Sequence, residues 1–284
     1  MSDSKAGRRL WVALGIVSGG CLGFSGLRVS GVLSPPATAG LFTACCESTI
    51  ALPAGARALL PSLWIGLAAM ALGCGLLRTA RRVLRTQRFI SRLQARRLAI
   101  PRDVALVLKE TGLTGAVGLV DVEERHAFCH GLLRPRICLT RGLVYSLTRP
   151  ELRAVLIHER HHLANRHPVQ LLLTGLVAEV LFFLPLADDL RDYHEARCEL
   201  GADLEAIQGT GRRPLASALM KMVQGAECQF AAQGLTVSGL NVTQARVGQL
   251  LEGNEIGPSF SLDRVALSLA SLAAMCVLWM GAAS

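Results

Sequence analysis

Apolar residues gather into four runs along this chain, at residues 10–27, 59–77, 169–186 and 265–283. Each approaches the roughly 20 residues that carry a helix across a bilayer. Between the second and third runs the pattern changes character. Val104, Leu106, Val107 and Leu108 predict a short helix over residues 103–115. Residues 117–122, 127–130 and 136–140 read as three strands, the last two joined by a turn near 131–135. Leu152, Val155, Leu156 and Leu163 then recur at helical spacing. Thr148 with Glu151 three positions on reads as a capping box, and Pro150 in the first turn lacks an N–H that would find no partner there. This helix should end near residues 165–168. The expected fold class is therefore a mainly α membrane protein with a small β-sheet.

Composition strengthens the membrane reading. Of the 284 residues, 51% are hydrophobic and the mean hydropathy is +0.40, high for a water-soluble enzyme. Trp11, Trp64 and Trp279 all fall in apolar runs, and Trp11 and Trp279 sit near run ends, where an aromatic belt lies. Lys5, Arg8 and Arg9 precede the first run, as they would in a signal peptide. The run is long for that role, and a retained helix is expected.

The net charge of +9 is concentrated. Arg78, Arg81, Arg82, Arg85, Arg88, Arg92, Arg96, Arg97 and Arg102 follow the second run, which places that end in the cytoplasm by the positive-inside rule. Phe89 is the one aromatic among them, too few for base stacking. The expected partner is anionic lipid headgroups and no nucleic acid is expected. Four regions follow: a two-helix transmembrane hairpin (1–77), a basic juxtamembrane segment (78–102), a folded domain (103–264) and a C-terminal transmembrane helix (265–284). Cys45 and Cys46 fall in the expected outer loop. No C-x-x-C pair occurs, so a cysteine metal site is not expected.

The candidate chemistry lies at 158–162, HERHH, which fits H-E-x-x-H. On a helix His158 and His162 share one face, close enough for two imidazoles to hold one metal ion. Glu159 beside them is placed to take a proton from water. His161 and His167 are decoys in this reading. The residues leave two candidates for a third ligand. Glu179 lies inside an apolar run, where a carboxylate is costly. Glu199 lies on an amphipathic stretch with Asp203 four residues on, suited to orient a ligating histidine.

HExxH followed by E-x-x-A-D (Glu199, Ala202, Asp203) resembles the membrane-embedded gluzincin peptidases, which include the HtpX proteases, the CAAX prenyl proteases and the antirepressor peptidases of the β-lactam-sensor type. Ala127-Phe128, Pro135-Arg136-Ile137, Gly142-Leu143, Glu151-Leu152 and residues 215–219 also fit. The resemblance covers roughly residues 115–225. It implies a zincin-like catalytic domain embedded between transmembrane helices, with Zn2+ held by His158, His162 and Glu199, Glu159 as general base and Asp203 in support.

Further expectations follow. Ala127 and Phe128 are candidates for an edge strand that holds extended substrate through main-chain hydrogen bonds. His194, Tyr193 and Arg197 precede Glu199, and His194 is the preferred partner for the oxyanion. A cytoplasmic His158 can meet Glu199 only if run 169–186 does not span. That run is expected to be re-entrant or buried. The expected function is a multi-pass, cell-membrane zinc endopeptidase facing the cytoplasm, acting on protein or peptide substrates, a transcriptional repressor among the candidates. The competing reading is a proteolytically silent scaffold.

Overall fold

The computed structural model describes residues 54–224, Arg246 and residues 262–283. The expected first helix at 10–27, Cys45 and Cys46 lie outside the described residues. In chain order the elements are helix α1 (Ala54–Gln94), strand β1 (Arg97–Leu98), helix α2 (Arg102–Glu110), strands β2 (Val117–Val120), β3 (Ala127–His130) and β4 (Arg136–Thr140), helices α3 (Arg141–Ser146), α4 (Arg149–Ala164), α5 (His167–Val180), α6 (Pro185–Thr210), α7 (Arg212–Gln224) and α8 (Leu262–Ala283). The protein is mainly helical with one four-stranded sheet. Among the described residues no helix is long and apolar enough to cross a membrane. The run at 169–186 is broken: α5 has 14 residues and ends at Val180, and α6 begins at Pro185. At 1.5 Å per residue α5 spans about 21 Å, against about 30 Å of hydrocarbon.

The chain divides into two compact units. One holds residues up to Arg78, Leu176–Leu190 and Ser259–Ser284; the other holds Thr79–Gly175 and Arg191–Pro258. In the first unit, helix backbones pack closely. A Cβ on Gly75 would stand 2.9 Å from Val180 Cγ2. The Leu186 N–H donates to Ser268 Oγ at 3.1 Å, and Arg264 pairs with Asp189.

The second unit is built on the sheet, in order β1-β2-β4-β3. Strands β2 and β4 run parallel; β1 and β3 lie antiparallel to their neighbours. Alternation along each strand separates two faces. Val117, Leu119, Ala127, Ile137 and Leu139 join Val107, Leu108, Leu152, Val155, Leu156 and Ala218 in the main core. Val120, Phe128 and Cys138 point the other way, against Ile90 and Leu93 at the end of α1. A third cluster of Ala154, Ile157, Ala206 and Leu215 fastens α4 to α6 and α7. Gly209 permits the close approach, since a Cβ there would lie 2.6 Å from Ile157 Cδ1.

Helix α4 starts where the sequence says it should. The Thr148 N–H donates to Glu151 Oε2 at 2.7 Å, and the reciprocal half of the capping box is also made. Glu151 in addition accepts from Lys221 Nζ at 2.7 Å and from the Ser217 hydroxyl. Burial works against its charge. The bonds from Lys221, Ser217 and Thr148 outweigh that and hold its pKa down at about 2.

Candidate metal centre

Helix α4 presents His158 and His162 on one face, their Nε2 atoms 3.1 Å apart. Helix α6 brings Glu199 across to them. Its carboxylate oxygens lie 3.5 Å from His158 Nε2 and 3.4 Å from His162 Nε2. Ligand atoms of the three residues all fall within 4.8 Å of one another. A tetrahedral ion with bonds of about 2.0–2.2 Å needs donor atoms about 3.3–3.6 Å apart. Both separations to Glu199 fall in that range and the 3.1 Å between the histidines is slightly shorter, so the three side chains come close to what such an ion needs. Glu179, the other third-ligand candidate, belongs to the first unit and is not part of this cluster.

Asp203, one turn beyond Glu199 and 0% exposed, places Oδ1 2.8 Å from His158 Nδ1. That contact orients the ring so that Nε2 faces the cluster. Burial disfavours a charge on His158, but the hydrogen bonds with Asp203 and Glu199 outweigh it and hold its pKa up at about 9. Burial, with the neighbouring His158 charge, drives His162 down to about 3. With both ring nitrogens protonated, His158 must give up the Nε2 proton to ligate a metal and keeps the Nδ1 proton toward Asp203. Burial pushes Glu199 up, yet the bond and charge of His158, with Arg246, keep it well below the usual carboxylate range.

Sequence reasoning missed Arg246. Its Nε and Nη2 donate to the two oxygens of Asp203 at 2.7 and 2.8 Å, and Nη1 lies 3.0 Å from Glu199 Oε2. The fork-on-carboxylate geometry compensates two buried anions at once. A signal existed, because Arg246 is the one basic residue between Lys221 and Arg264. No periodicity or motif marked it. His161, taken as a decoy, stands outside the cluster, with Nδ1 2.7 Å from Glu205 Oε2.

Glu159 is buried beside the ligands and accepts a hydrogen bond from the Cys129 main-chain N–H. Burial raises its pKa to about 7, against the pull of His158. The Cys129 bond ties the site to β3, an edge strand of the sheet. Thr140 N donates to His126 O, and Phe128 faces Cys138. By antiparallel alternation, His126 and Phe128 turn their main-chain groups toward β4, while Ala127 and Cys129 turn theirs to the open edge. Of the two residues expected to hold substrate, Ala127 thus offers main-chain groups outward. Phe128 does not, and its ring is in the core. His194 approaches Cys198, with Nε2 3.7 Å from Sγ. Tyr193 and Arg197 engage each other, the guanidinium carbon 5.9 Å from the ring centroid. Among the described residues, the arginine that touches the ligand cluster is Arg246.

Residues 93–227 match the family model of peptidase family M48. The match takes in His158, Glu159, His162 and Glu199 and covers just under half of the chain. The chain is also 38% identical over 84 residues to the protease HtpX of Aeromonas hydrophila subsp. hydrophila and to that of Aeromonas salmonicida. The alignment covers 28% of this chain and 29% of each relative, so the chain spans less than a third of the curated relatives it matches.

Proposed function

We propose that this protein is a membrane-anchored, zinc-dependent endopeptidase that cuts protein or peptide substrates at the cytoplasmic face. The observation that carries the reading is the convergence of His158, His162 and Glu199, with the buried Glu159 next to them. Two histidines and one carboxylate are a donor set suited to zinc that leaves a position for chemistry. When bound there, zinc supplies Lewis acidity, polarising the scissile carbonyl and making water more acidic.

The chain's own residues do the rest. Glu159 takes a proton from the attacking water and delivers it to the leaving amine. A carboxyl with a pKa raised to about 7 suits both halves of that exchange near neutral pH. Substrate lies extended along β3, held by the outward main-chain groups of Ala127 and the carbonyl of Cys129, whose N–H is engaged by Glu159, so side-chain demands are modest. Asp203 and Arg246 hold the ligands in place. His194, near Cys198, is retained as a candidate for stabilising the oxyanion.

Membrane anchoring is supported by α1. Leu63, Ile65, Met70, Leu72, Leu76 and Leu77 are exposed, and Arg78, Arg81, Arg82 and Arg85 follow them on the same helix. Apolar surface followed by a cationic band suits hydrocarbon followed by anionic headgroups. An active site on this face would meet damaged membrane proteins and transcriptional repressors as substrate classes.

The test uses detergent-purified full chain. Zinc is measured by plasma mass spectrometry, and cleavage of an unfolded protein is followed for wild type, Glu159→Gln, Glu199→Ala and Glu179→Ala. The reading requires about one zinc per chain, lost in Glu199→Ala alone, and cleavage lost in both Glu159→Gln and Glu199→Ala. Zinc without cleavage in wild type would leave a silent metal-binding scaffold. Folded wild type without zinc would end the proposal.

A further inference from the structure

Five residues along a helix point to different sides, so His162 and His167 are not helical neighbours. The chain nevertheless brings them together. Helix α4 ends at Ala164, and Arg166 adopts a left-handed backbone with φ of 52°. Asn165 steadies the turn, donating from Nδ2 to His161 O at 2.9 Å and accepting from Gln170 Nε2 at 2.7 Å. A non-glycine residue in this conformation costs about 1 kcal/mol and persists where its surroundings require it. The turn folds α5 back so that His167 is buried with Nδ1 2.7 Å from His162 Nδ1.

The chemistry of that contact is restrictive. For His162 to offer Nε2 to a metal, its proton must sit on Nδ1. That N–H then needs an acceptor, and the atom opposite is His167 Nδ1. An imidazole accepts at Nδ1 only when its own proton is on Nε2. His161 packs against the same ring at a centroid distance of 5.3 Å and is itself held by Glu205. The two ligating histidines therefore lean on unlike acceptors, His158 on the carboxylate of Asp203 and His162 on a neutral ring.

We propose that His167 is a positioning residue for the metal centre: by accepting the Nδ1 proton of His162 it fixes that ligand's tautomer and ring orientation. This inference rests on the metal-site reading and goes beyond it, since no ligand or catalytic role falls to His167 itself. Partners of this kind typically contribute 10–100-fold to metal affinity.

The test compares two kinds of substitution in the full chain in detergent, read by zinc dissociation constant in a chelator competition and by the visible spectrum of the cobalt-substituted protein. His167→Phe and His167→Met remove the acceptor. His167→Asn and His167→Asp place an oxygen where Nδ1 stood. The expected result is zinc binding about 10–100-fold weaker in the first pair, with an altered cobalt spectrum, and affinity within a few-fold of wild type in the second. Wild-type affinity in Phe or Met would overturn the proposal. So would equal weakening in all four variants, which would assign the position to packing. Failure of wild type to bind zinc would overturn the metal reading beneath it, a result separate from either. Having two acceptor-free variants keeps the comparison available if one does not fold, as judged by its far-ultraviolet dichroism.

Discussion

Helices α1 and α4 invert the usual distribution in opposite ways. Along α1, Leu63 is 60% exposed and Met70 59%, with Ile65, Leu72, Leu76 and Leu77 nearly as open. Along α4, Glu151, His158, Glu159 and His162 are all buried. Apolar area left in water forgoes about 25 cal/mol per Å2, whereas a buried polar group without a partner costs about 1–3 kcal/mol. Helix α4 escapes its penalty because each of those groups is matched: Glu151 by Thr148, Ser217 and Lys221, His158 by Asp203, Glu159 by Cys129, His162 by His167. For α1 it is the proposed bilayer that would supply apolar surroundings. One helix is explained by its contacts within the fold, the other by the solvent proposed around it.

The sharpest way to break this comparison is at Glu159. Glu159→Gln keeps the size and the Cys129 hydrogen bond but removes the proposed base. Cleavage should fall by about 10²–10⁴-fold with zinc content unchanged; undiminished turnover would show that α4 buries Glu159 for structure alone. Next comes the arginine that neutralises the buried anions. Arg246→Met leaves Asp203 and Glu199 without their shared cation and should cost about 3–5 kcal/mol in denaturant unfolding. A loss below 1 kcal/mol would mean that the carboxylates do not depend on it.

Glu151→Ala removes three bonds at once, the capping bond from Thr148 among them, and should cost about 2 kcal/mol, read from the same unfolding curves. Its pH dependence has a definite sign. The folded-state pKa of Glu151 lies at about 2, below the ordinary carboxylate value of 4.5. The ionised carboxylate therefore stabilises the fold fully above the unfolded value, and that stability is lost as pH falls toward the folded value. The stability gap between wild type and Glu151→Gln should be flat above about pH 5 and close between about pH 4.5 and 2. A gap that widened on acidification would refute the assignment. Smallest in energy is the change on α1. Leu72→Ser with Leu76→Ser should move unfolding by less than about 0.5 kcal/mol while reducing flotation of the chain with anionic vesicles. Unchanged flotation would remove α1 from the lipid contact.

Much of the second unit was legible in the residues. Strands β3 and β4 fall on the expected positions because both alternate between two buried faces, a pattern of period two that survives in any register. The helix expected over 103–115 stops at Glu110, since Gly112 and Gly115 take φ of 72° and 81° and turn the chain out. The expected strand at 117–122 ends at Val120. Strand β1 was not foreseen: Arg97 and Leu98 form two residues of strand only by pairing with Val120 and Leu119. Arginines read as a continuous basic segment thus reach the sheet of the second unit.

By itself the sequence determined what depends on near neighbours: the two histidines four apart, the glutamate between them, the capping box that starts their helix and the hairpin strands. Tertiary structure alone decided the rest. It brought Glu199 and not Glu179 into the ligand cluster, set Arg246 on Asp203 across 43 residues of chain, turned Cys129 N–H toward Glu159 and made His167 a neighbour of His162. The physical reason is the range of the forces involved. Helical and strand periodicities repeat every few residues and leave a trace in composition. A buried charge finds its counterion, and an imidazole its acceptor, only after packing has fixed which distant side chains share one dry space.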